Sequence, residues 1–490
     1  MIRMNPLYRT DSYKISHPRM YPDGVTELMT YTESRGTDAS NGKVEADITW
    51  LGFQMFAKEL ADITVTHEDN EEARDFYKEH FLGADIFPYE DIKYMIEKYD
   101  GKIPALIRSV PEGLTVPSHN VMATVRSTDE RLFWMTSFLE TMQLRASWYG
   151  ASFATNDMEI ATIIYKYLLL TSDAPDALYP SRNHDFGARG STSSESAAIG
   201  GAVHTLISGG SDTVEGIAYA KKMYGYSGMP AFSIPASEHS VTTAHGKALE
   251  HLIVNKSLTR FPGAPLVANV IDSYDMMNFV NNIIGVQYKQ DIIDSGKLFV
   301  LRPDSGDAVV NVVMILQSLE KSFGVTVNGK GYKVLNHVAV INGDGNDVIL
   351  IEKICTAVMA AGFALDNVAF GTGGGLHQKV NRDTYRWATK LCLAKINGIY
   401  VPIQKDPITD PGKKSRGGDL DLVEDKNGFT GRNDGYTTID RLNLDDPLCH
   451  APSVLETTYF NGTNPVTYTF EQIRERTFAT IKEKAQTMVI

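Results

Sequence analysis

The sequence contains very little cysteine: three residues among 490, at positions 355, 392 and 449. Their odd number and wide spacing exclude a disulfide framework and a CxxC metal site, and are typical of proteins from a reducing compartment. An HExxH pattern and a Cys/His cluster are also missing. The sequence therefore does not predict a zinc site.

Long apolar runs are missing as well. The best apolar stretch, 309–316, is interrupted by Asn311 and is far below the roughly 20 residues that a membrane helix needs. The opening residues, MIRMNPLYRTDSYK, lack the apolar segment of a secretory signal. We therefore expect a cytoplasmic protein without a membrane partner.

Positive charge is scarce: 47 Lys and Arg residues stand against 60 Asp and Glu, a net charge of −13. This balance argues against nucleic acid as a partner, whereas an anionic small substrate would need a local cluster of Lys and Arg. The apolar fraction of 43% and the charged fraction of 22% are those of an ordinary globular protein. A chain of this length predicts two or three compact units.

Short apolar runs recur through the middle of the chain, each followed by polar or small residues and then a helical pattern. They lie at 184–186, 206–208, 231–234, 266–271, 298–301, 338–341, 368–370 and 390–394. Eight strand–helix units of this spacing favour an α/β fold with a (β/α)8 barrel-like domain, although an open doubly wound sheet remains the alternative.

The two ends of the chain mix helical and strand-like patterns. Residues 92–99 have apolar residues at helical spacing, and after Asp100-Gly101 the stretch 103–110 alternates like a strand. We therefore predict a barrel-like catalytic domain at 146–397 and a second, mixed α+β domain built from 1–145 together with 398–490.

Polar and glycine-rich segments follow the predicted strands, where a barrel places its active site. GTGGGLHQK (371–379) suits phosphate binding, because glycines let backbone N–H groups approach a phosphate, although it could be a flexible turn. LRPDSGD contains Arg302 and Asp304, INGDGND contains Asp344, and IDSYD contains Asp272. These acids could bind sugar hydroxyls or Mg²⁺, or could be solvated turns.

Three further segments carry candidate chemistry. IPASEHS places His239 after a strand, as a catalytic or a structural histidine, and HDFGARG places Phe186, a stacking or core aromatic, close to Arg189. The segment KDPITDPGKKSRGG concentrates Lys405, Lys413 and further basic residues in one loop. Such a loop is either solvated or a place to hold pyrophosphate.

Taken together, these motifs resemble the nicotinamide phosphoribosyltransferases, a family of type II phosphoribosyltransferases. The resemblance runs nearly from end to end, through TDSYKISH, SWY, HDFGARG, GSDTV, SIPASEHS, DSYD, RPDSG, GDG, GTGGGLHQK and KDPITDP in that order. The strand, paired acids and Thr-Gly-x-Thr loop of class I phosphoribosyltransferases are absent.

The resemblance implies roles for individual residues. Phe186 and Tyr13 of a second subunit would enclose a pyridine ring, and Asp212 would accept a hydrogen bond from the carboxamide. The residues expected to bind substrates are Asp11, Tyr13, Phe186, Arg189, Asp212, Arg302, Asp304, Gly343, Asp344, Gly373, Gly374 and Arg382. Those expected to bind pyrophosphate or the phosphates of ATP are Arg35, Lys390, Lys405 and Lys413. The candidate catalytic residues are His239, Asp272 and Asp304.

The resemblance also implies a reaction and its partners. Nicotinamide and 5-phosphoribosyl 1-pyrophosphate would give nicotinamide mononucleotide and pyrophosphate, a step of NAD salvage, in a homodimer with shared active sites. Mg²⁺ would be bound mainly through substrate phosphates, and ATP would be a facultative co-substrate that phosphorylates His239. Ala188 and Ala268 depart from the family pattern, which has an aromatic residue and a serine there.

Three rival interpretations remain open. A nicotinate phosphoribosyltransferase would share the fold and the chemistry, but the charge of Asp212 would repel a carboxylate substrate. A barrel aldolase or glycosidase would need a Schiff-base lysine or would leave the basic loop unused. A non-catalytic binding protein on this scaffold would not need the full set of motifs.

Overall fold

The computed structural model describes residues 4–37, 46–409, 414–426 and 435–489. The chain forms two compact units, Met1–Thr155 with Val380–Thr469 and Asn156–Lys379 with Phe470–Ile490. These limits differ from the domains expected from sequence. The helix Met135–Thr171 continues from one unit into the other, so a boundary falls inside a regular helix that offers no turn signal.

The first unit, called here the mixed unit, is built around a six-stranded antiparallel sheet. From one edge to the other its strands are Ile399–Pro402, Ala388–Ile396, Val25–Glu33, Val121–Ser127, Ala105–Ser109 and Glu456–Phe460. Strands from both chain ends therefore pair within a single sheet. Two small antiparallel pairs accompany it: Asp47–Thr49 with Thr115–Pro117, and Leu420–Glu424 with Tyr436–Asp440.

Helices of the mixed unit follow the apolar pattern of the sequence. They are Phe53–Asp62, His67–His80 and Tyr89–Tyr99, with 3₁₀ turns at Pro6–Tyr8 and Ser12–Arg19. The helix predicted at 92–99 is confirmed, and it ends where Asp100 and Gly101 adopt positive φ values of 51° and 73°. The strand predicted at 103–110 is confirmed as Ala105–Ser109. Both elements contribute to one apolar core that includes Trp50 and Trp134.

The second unit, called here the barrel unit, contains a six-stranded sheet in which every pairing is parallel. Its strands, in spatial order, are Gly210–Ser211, Asn183–Asp185, Val368–Thr372, Val338–Asn342, Leu298–Arg302 and Leu266–Val270. These strands are short and mostly buried, as expected for parallel strands covered by helices.

The two edges of this sheet are joined by the segment 232–237. Phe232 exchanges backbone hydrogen bonds with the 209–211 segment at 2.8 and 3.0 Å. Farther along, Ala268 donates to Pro235 at 2.9 Å and accepts from Ser237 at 3.0 Å. The segment thus takes the place of a seventh strand and closes the sheet into a ring. The six strands and this segment are called here the staves of the barrel. The predicted barrel-like α/β fold is confirmed, with seven staves rather than eight.

Two of the eight predicted strands are wrong for this barrel. Residues 206–208 form a turn, and the strand lies at Gly210–Ser211, whose small polar residues give no apolar signal. Residues 390–394 do form a strand, but it belongs to the antiparallel sheet of the mixed unit. Local pattern identifies a strand without identifying its partner.

Helices surround the strands of the barrel unit. They are Pro175–Leu178, Ser194–Thr205, Val214–Tyr224, His239–Thr243, Leu252–Thr259, Met276–Asn278, Lys289–Ser295, Ala308–Phe323, Val348–Ala360, Gly374–His377 and Phe470–Thr487, with a π-helix at Phe279–Gln287. The last helix belongs to this unit because Phe478 stacks on Tyr179 at 5.2 Å and Thr477 donates to the Leu206 carbonyl. We expected 398–490 to lie wholly with the N-terminal segment, whereas Phe470–Ile490 belongs to the barrel unit.

None of the helices in the described part of the chain combines the length and the apolar character that a membrane span requires.

Candidate active site

The loops that follow the barrel strands bring the candidate residues to one rim. Parallel strands end at the same rim, so residues that follow different strands become neighbours. Asp272 follows Leu266–Val270, Asp304 follows Leu298–Arg302, and Gly343 follows Val338–Asn342. The predicted convergence of these loops is therefore reproduced by the strand order.

His239 lies among carboxylates at this rim. Its Nε2 is 3.0 Å from Asp272 Oδ1 and its Nδ1 is 3.8 Å from Asp304 Oδ2. Asp272 is only 4% exposed, whereas the imidazole is 43% exposed. Asp272 also accepts hydrogen bonds from the Asp304 N–H and the Ser305 hydroxyl. A buried carboxylate therefore orients an imidazole that solvent can reach.

Arg302 carries an unsatisfied group into the same rim. Its Nε is buried and has no hydrogen-bond partner among the described residues. A buried guanidinium N–H without an acceptor is costly, so it marks a place where a ligand oxygen would be favoured. Gly343 packs beside it: a Cβ there would lie 2.7 Å from Asp304 Oδ1 and 3.2 Å from Arg302 Cδ. The adjoining Asp344 is exposed.

An apolar floor lies within the ring of strands. Ala268, Val300, Ala339 and Ile341 form a buried cluster to which several staves contribute, so it faces the interior of the barrel. Phe186 is half-buried against this cluster, and its N–H donates to Thr372 at 3.0 Å. The ring also lies over Gly371, where an added Cβ would be 2.0 Å from Phe186 Cε2. The Phe186 ring thus borders an apolar floor.

Asp212 lies next to this aromatic turn. Its backbone N–H donates to the Asp185 carbonyl at 2.9 Å, and its exposed carboxylate accepts a hydrogen bond from the Ser233 hydroxyl. Arg189, at the end of the same turn, is 86% exposed and its Nη2 is 3.8 Å from Glu238 Oε2. The rim therefore offers a negative and a positive group near Phe186.

The glycine run predicted to bind phosphate forms the start of the short helix Gly374–His377. Gly374 is exposed, and a side chain there would meet no atom within 4 Å. The helix ends at His377, whose buried imidazole contacts Asp185 at 2.9 Å and Ser191 at 2.9 Å. The exposed Gly374 is therefore held on a packed base.

A second buried histidine lies beneath the rim. His204 Nδ1 is 2.7 Å from Asp157 Oδ2, and its Nε2 is 2.9 Å from the Gly210 carbonyl. Asp157 also accepts from the Asn183 amide at 2.9 Å, and Asn183 accepts from the Thr372 hydroxyl at 2.8 Å. Burial lowers the pKa of His204, but the charge and hydrogen bond of Asp157 outweigh it and raise the pKa to about 9. The network links three neighbouring strands.

The mixed unit holds the remaining candidates. Arg35 Nε donates to Glu33 at 2.7 Å, while its buried Nη2 has no partner among the described residues. Arg35 lines a cavity of about 520 Å³ together with Lys414, Arg416 and His119, and with the acids Glu33 and Asp440. The basic loop thus meets a second unsatisfied guanidinium group.

Other predicted residues of this unit are more dispersed. Lys390 has its pKa lowered by burial; the carboxylate of Glu140 opposes this shift, whereas the charges of Arg35 and Lys405 strengthen it. Asp11 accepts a hydrogen bond from the Thr141 hydroxyl at 2.6 Å, and Tyr13 is 57% exposed. Arg382 is 57% exposed and contacts Asp383. Lys413 lies outside the described residues.

Among the residues that the structure describes, no three or more His, Cys, Asp or Glu side chains are grouped so that they could hold a metal ion.

Comparison with protein families assigns this arrangement to a known group. The model of the Nicotinate phosphoribosyltransferase (NAPRTase) family matches residues 181–437, and that of the Nicotinamide phosphoribosyltransferase, N-terminal domain, matches residues 5–107. The first match spans more than half of the 490 residues. The chain belongs to the nicotinate phosphoribosyltransferase family. The family resemblance drawn from the motifs is thereby confirmed.

Individual relatives agree over nearly the whole length. A nicotinamide phosphoribosyltransferase of Xanthomonas campestris pv. campestris (strain 8004) is 41% identical over 475 residues, covering 96% of this chain and 97% of that protein. Another, of Acinetobacter baylyi (strain ATCC 33305 / BD413 / ADP1), is 29% identical over 503 residues, covering 97% of each.

Solved structures share the fold at low identity. The nicotinate-nucleotide pyrophosphorylase of Pyrococcus furiosus has a TM-score of 0.62 at 14% identity, covering 98% of this chain and 96% of that one. Human nicotinic acid phosphoribosyltransferase has a TM-score of 0.57 at 14% identity, covering 96% and 93%. At such identity these similarities concern the fold alone.

The structure adds residues that sequence reasoning missed. Ser233 contacts Asp212, and the buried pair Asp185–His377 supports the turn that carries Phe186. His377 follows the last glycine of GTGGGLHQK by two residues, and Ser233 directly precedes IPASEHS. Proximity to a motif was the available signal, but their partners are distant in sequence.

Proposed function

We propose that the protein is a nicotinamide phosphoribosyltransferase that joins nicotinamide to 5-phosphoribosyl 1-pyrophosphate and releases pyrophosphate in NAD salvage. The observation that carries the proposal is the packing of Phe186 on an apolar floor, with Asp212 hydrogen-bonded to the adjoining Asp185 at the same rim. This rim also holds Arg302 and Asp304. The names of the two relatives described above point to the same substrate.

The pyridine ring would lie on Phe186. Base–aromatic stacking of this kind contributes roughly 1–3 kcal/mol. In the proposal the second face is covered by Tyr13 of a second copy, and the exposure of Tyr13 makes it available for such a contact. Asp212 would accept from the carboxamide NH₂, and its charge would disfavour nicotinate, whose carboxylate lacks a donor.

The phosphoribosyl group would occupy the rest of the rim. Asp304 accepts hydrogen bonds from ribose hydroxyls, with Gly343 and Asp344 alongside, and Arg302 Nε gains the acceptor that it lacks among the described residues. Backbone N–H groups at Gly373 and Gly374 approach the 5-phosphate, because neither glycine has a Cβ to keep it away.

The reaction would be a displacement at the anomeric carbon. The ring nitrogen of nicotinamide forms the new N–C bond while the C–O bond to pyrophosphate breaks, and pyrophosphate leaves with the electron pair. Positive charge develops on the ribose ring, so the carboxylates of Asp304 and Asp272 stabilise the transition state. Holding the nitrogen behind the carbon lowers the barrier further, and no proton needs to move.

Pyrophosphate would be received by cations. Arg35, Lys390, Lys405, Lys413 and Arg382 are assigned to this role, with some of them supplied by the second subunit of a homodimer. The unsatisfied Nη2 of Arg35 in a cavity shared with Lys414 and Arg416 supports the assignment. Mg²⁺, which favours carboxylate and phosphate oxygens, would enter with the substrate phosphates near Asp304 and Asp344 and neutralise charge on the leaving group.

ATP would act through His239. With Nε2–H donating to Asp272, Nδ1 keeps its lone pair and attacks the γ-phosphorus of ATP. A P–N bond forms, the bond to ADP breaks, and water later hydrolyses the phosphohistidine. The phosphoryl group would add charge beside the site during turnover.

One assay tests these assignments. Purified protein receives phosphoribosyl pyrophosphate, Mg²⁺ and either nicotinamide or nicotinate, with and without ATP, and mononucleotide formation is measured. We expect nicotinamide turnover that ATP enhances, and loss of that enhancement in His239→Ala. Turnover of nicotinate alone would contradict the role of Asp212, and full ATP stimulation in His239→Ala would contradict the phosphohistidine.

A further inference from the structure

We propose that His377 is a positioning residue that aligns the turn carrying Phe186 and Arg189 with the glycine loop at Gly373–Gly374. The contacts of His377 are present in the structure, and their consequence for catalysis rests on the function proposed above.

The contacts of His377 bridge two distant segments. Its Nε2 lies 2.9 and 3.1 Å from the two carboxylate oxygens of Asp185, and its Nδ1 lies 2.9 Å from the Ser191 hydroxyl. The imidazole and the Asp185 carboxylate are both fully buried. The histidine therefore contacts both ends of the turn 185–191 from a helix 192 positions away in sequence.

Asp185 links His377 to the backbone of Gly187 and of Asp212. Its carboxylate accepts from the Gly187 N–H at 2.7 Å, and its backbone carbonyl accepts from the Asp212 N–H at 2.9 Å. Burial opposes ionisation of Asp185, but the hydrogen bond and charge of His377 outweigh it and hold the pKa of Asp185 below its usual range. A displaced Asp185 would shift both neighbours of the pyridine ring, Phe186 and Asp212.

The ring of His377 also fills space against the turn. A Cβ on Gly187 would lie 2.1 Å from His377 Cδ2 and 2.9 Å from the Gly373 carbonyl oxygen. The same carbonyl accepts from the His377 N–H at 3.3 Å. The glycine loop and the turn therefore meet at Gly187, and the imidazole holds them at this separation.

A purely structural buried histidine would predict a different outcome from substitution. Loss of stability alone lowers the amount of folded protein and leaves the KM of the folded fraction unchanged. Loss of alignment raises the KM for both substrates, because nicotinamide and the 5-phosphate contact the two segments that His377 joins.

Three substitutions separate these outcomes. In His377→Gln the amide nitrogen lies the same number of bonds from Cα as Nε2, so the contact with Asp185 is retained. In His377→Asn it lies the same number of bonds from Cα as Nδ1, so the variant retains a group only for Ser191. His377→Leu removes both contacts, and Gln378→Ala, at the next exposed position, is the matched control.

The first measurement is hydrogen exchange of backbone amides in 183–191 and 371–378, which needs no substrate. We expect protection to be preserved in the Gln variant and lost in the Asn and Leu variants. The second measurement is steady-state kinetics. We expect the KM for nicotinamide and for phosphoribosyl pyrophosphate to rise about tenfold in the Asn and Leu variants and about twofold or less in the Gln variant. We expect kcat to change by about threefold or less.

Equal exchange and equal KM in the Gln and Asn variants would overturn the proposal, because the contact with Asp185 would then not matter. This comparison holds even when the Leu variant fails to fold. Altered exchange in a protein whose wild type shows no turnover would instead refute the proposed function and leave the positioning role supported.

Discussion

The hydroxyl of Ser233 donates a hydrogen bond to the carboxylate of Asp212. Ser233 lies in the segment that closes the barrel, and Asp212 follows the strand on one side of that closure. One Asp212 oxygen is thereby engaged within the protein. The other oxygen can accept from a substrate amide, and the bond limits how far the carboxylate can rotate.

This relationship predicts the substrate preference of two variants. Asp212→Asn keeps an acceptor but removes the charge, so we expect kcat/KM for nicotinamide to fall about tenfold and that for nicotinate to rise. Ser233→Ala removes one hydrogen bond to the carboxylate but leaves its charge in place, so its effect on nicotinamide should be smaller, about threefold. Supplying nicotinamide and nicotinate together to each variant measures the ratio of the two kcat/KM values. An unchanged ratio in Asp212→Asn would show that Asp212 does not read the amide.

The close packing of Phe186 on Gly371 predicts that a side chain at position 371 will clash with the aromatic ring. A Cβ at position 371 would lie 2.0 Å from the aromatic ring, so Gly371→Ala must displace Phe186 from its stacking position. We expect the KM for nicotinamide to rise at least about tenfold through lost stacking. Gly263→Ala is the matched control, because a Cβ there meets nothing within 4 Å. Wild-type KM in Gly371→Ala would argue that nicotinamide does not stack on Phe186.

The sequence predicted which polar residues follow the barrel strands, but it placed two of the eight strands wrongly. Apolar runs followed by Asp272, Asp304 or Gly343 identified strands and the ends at which polar residues converge, because burial and polarity change at the same position. The strand Gly210–Ser211 was missed because two small residues carry no apolar pattern. The strand at 390–394 was assigned to the wrong sheet because a local pattern does not name a partner.

Contacts across long sequence separations were beyond such reasoning for a similar reason. His377 and Asp185 lie 192 positions apart, and neither segment alone shows that a buried pair will form. The helix Phe470–Thr487 has ordinary amphipathic composition, and only its packing on Tyr179 assigns it to the barrel unit. Residue type predicted which candidate side chains lie together where one loop contained the whole group, as in RPDSG.

The unsatisfied Nε of Arg302 predicts a change in ligand response. Lysine has no atom equivalent to Nε, so Arg302→Lys removes a buried N–H that lacks a partner among the described residues. We expect the melting temperature of the free protein to stay within about 2 °C of wild type, because no described residue accepts a hydrogen bond from this Nε. The stabilisation caused by phosphoribosyl pyrophosphate should fall strongly.

Thermal unfolding with and without that ligand measures both quantities, and Arg260→Lys, at an exposed position, is the control. A destabilised free protein with an unchanged ligand response would assign Arg302 to the fold rather than to the substrate.

The buried pair of His204 and Asp157 predicts how stability depends on pH. The pKa of His204 is about 9 in the folded protein, against 6.5 as its ordinary value, so the folded state binds the proton more tightly. Its contribution is therefore fully present below pH 6.5 and is lost as pH rises through 9. The loss should be on the order of 3 kcal/mol, since one pKa unit corresponds to about 1.4 kcal/mol.

Urea unfolding of wild type and of His204→Gln at pH 6, 7.5 and 9.5 measures this contribution. Glutamine does not titrate, so the difference in stability between the two proteins should be largest at the lowest pH and should shrink as pH rises. His450→Gln, at an exposed histidine, controls for general titration. A difference that stays constant across this range would mean that the pKa of His204 is the same in the folded and unfolded states. A difference that grows as pH rises would mean that the folded protein keeps His204 neutral. Either result would contradict a buried, protonated His204 between the strands that precede Phe186, Asp212 and Gly373.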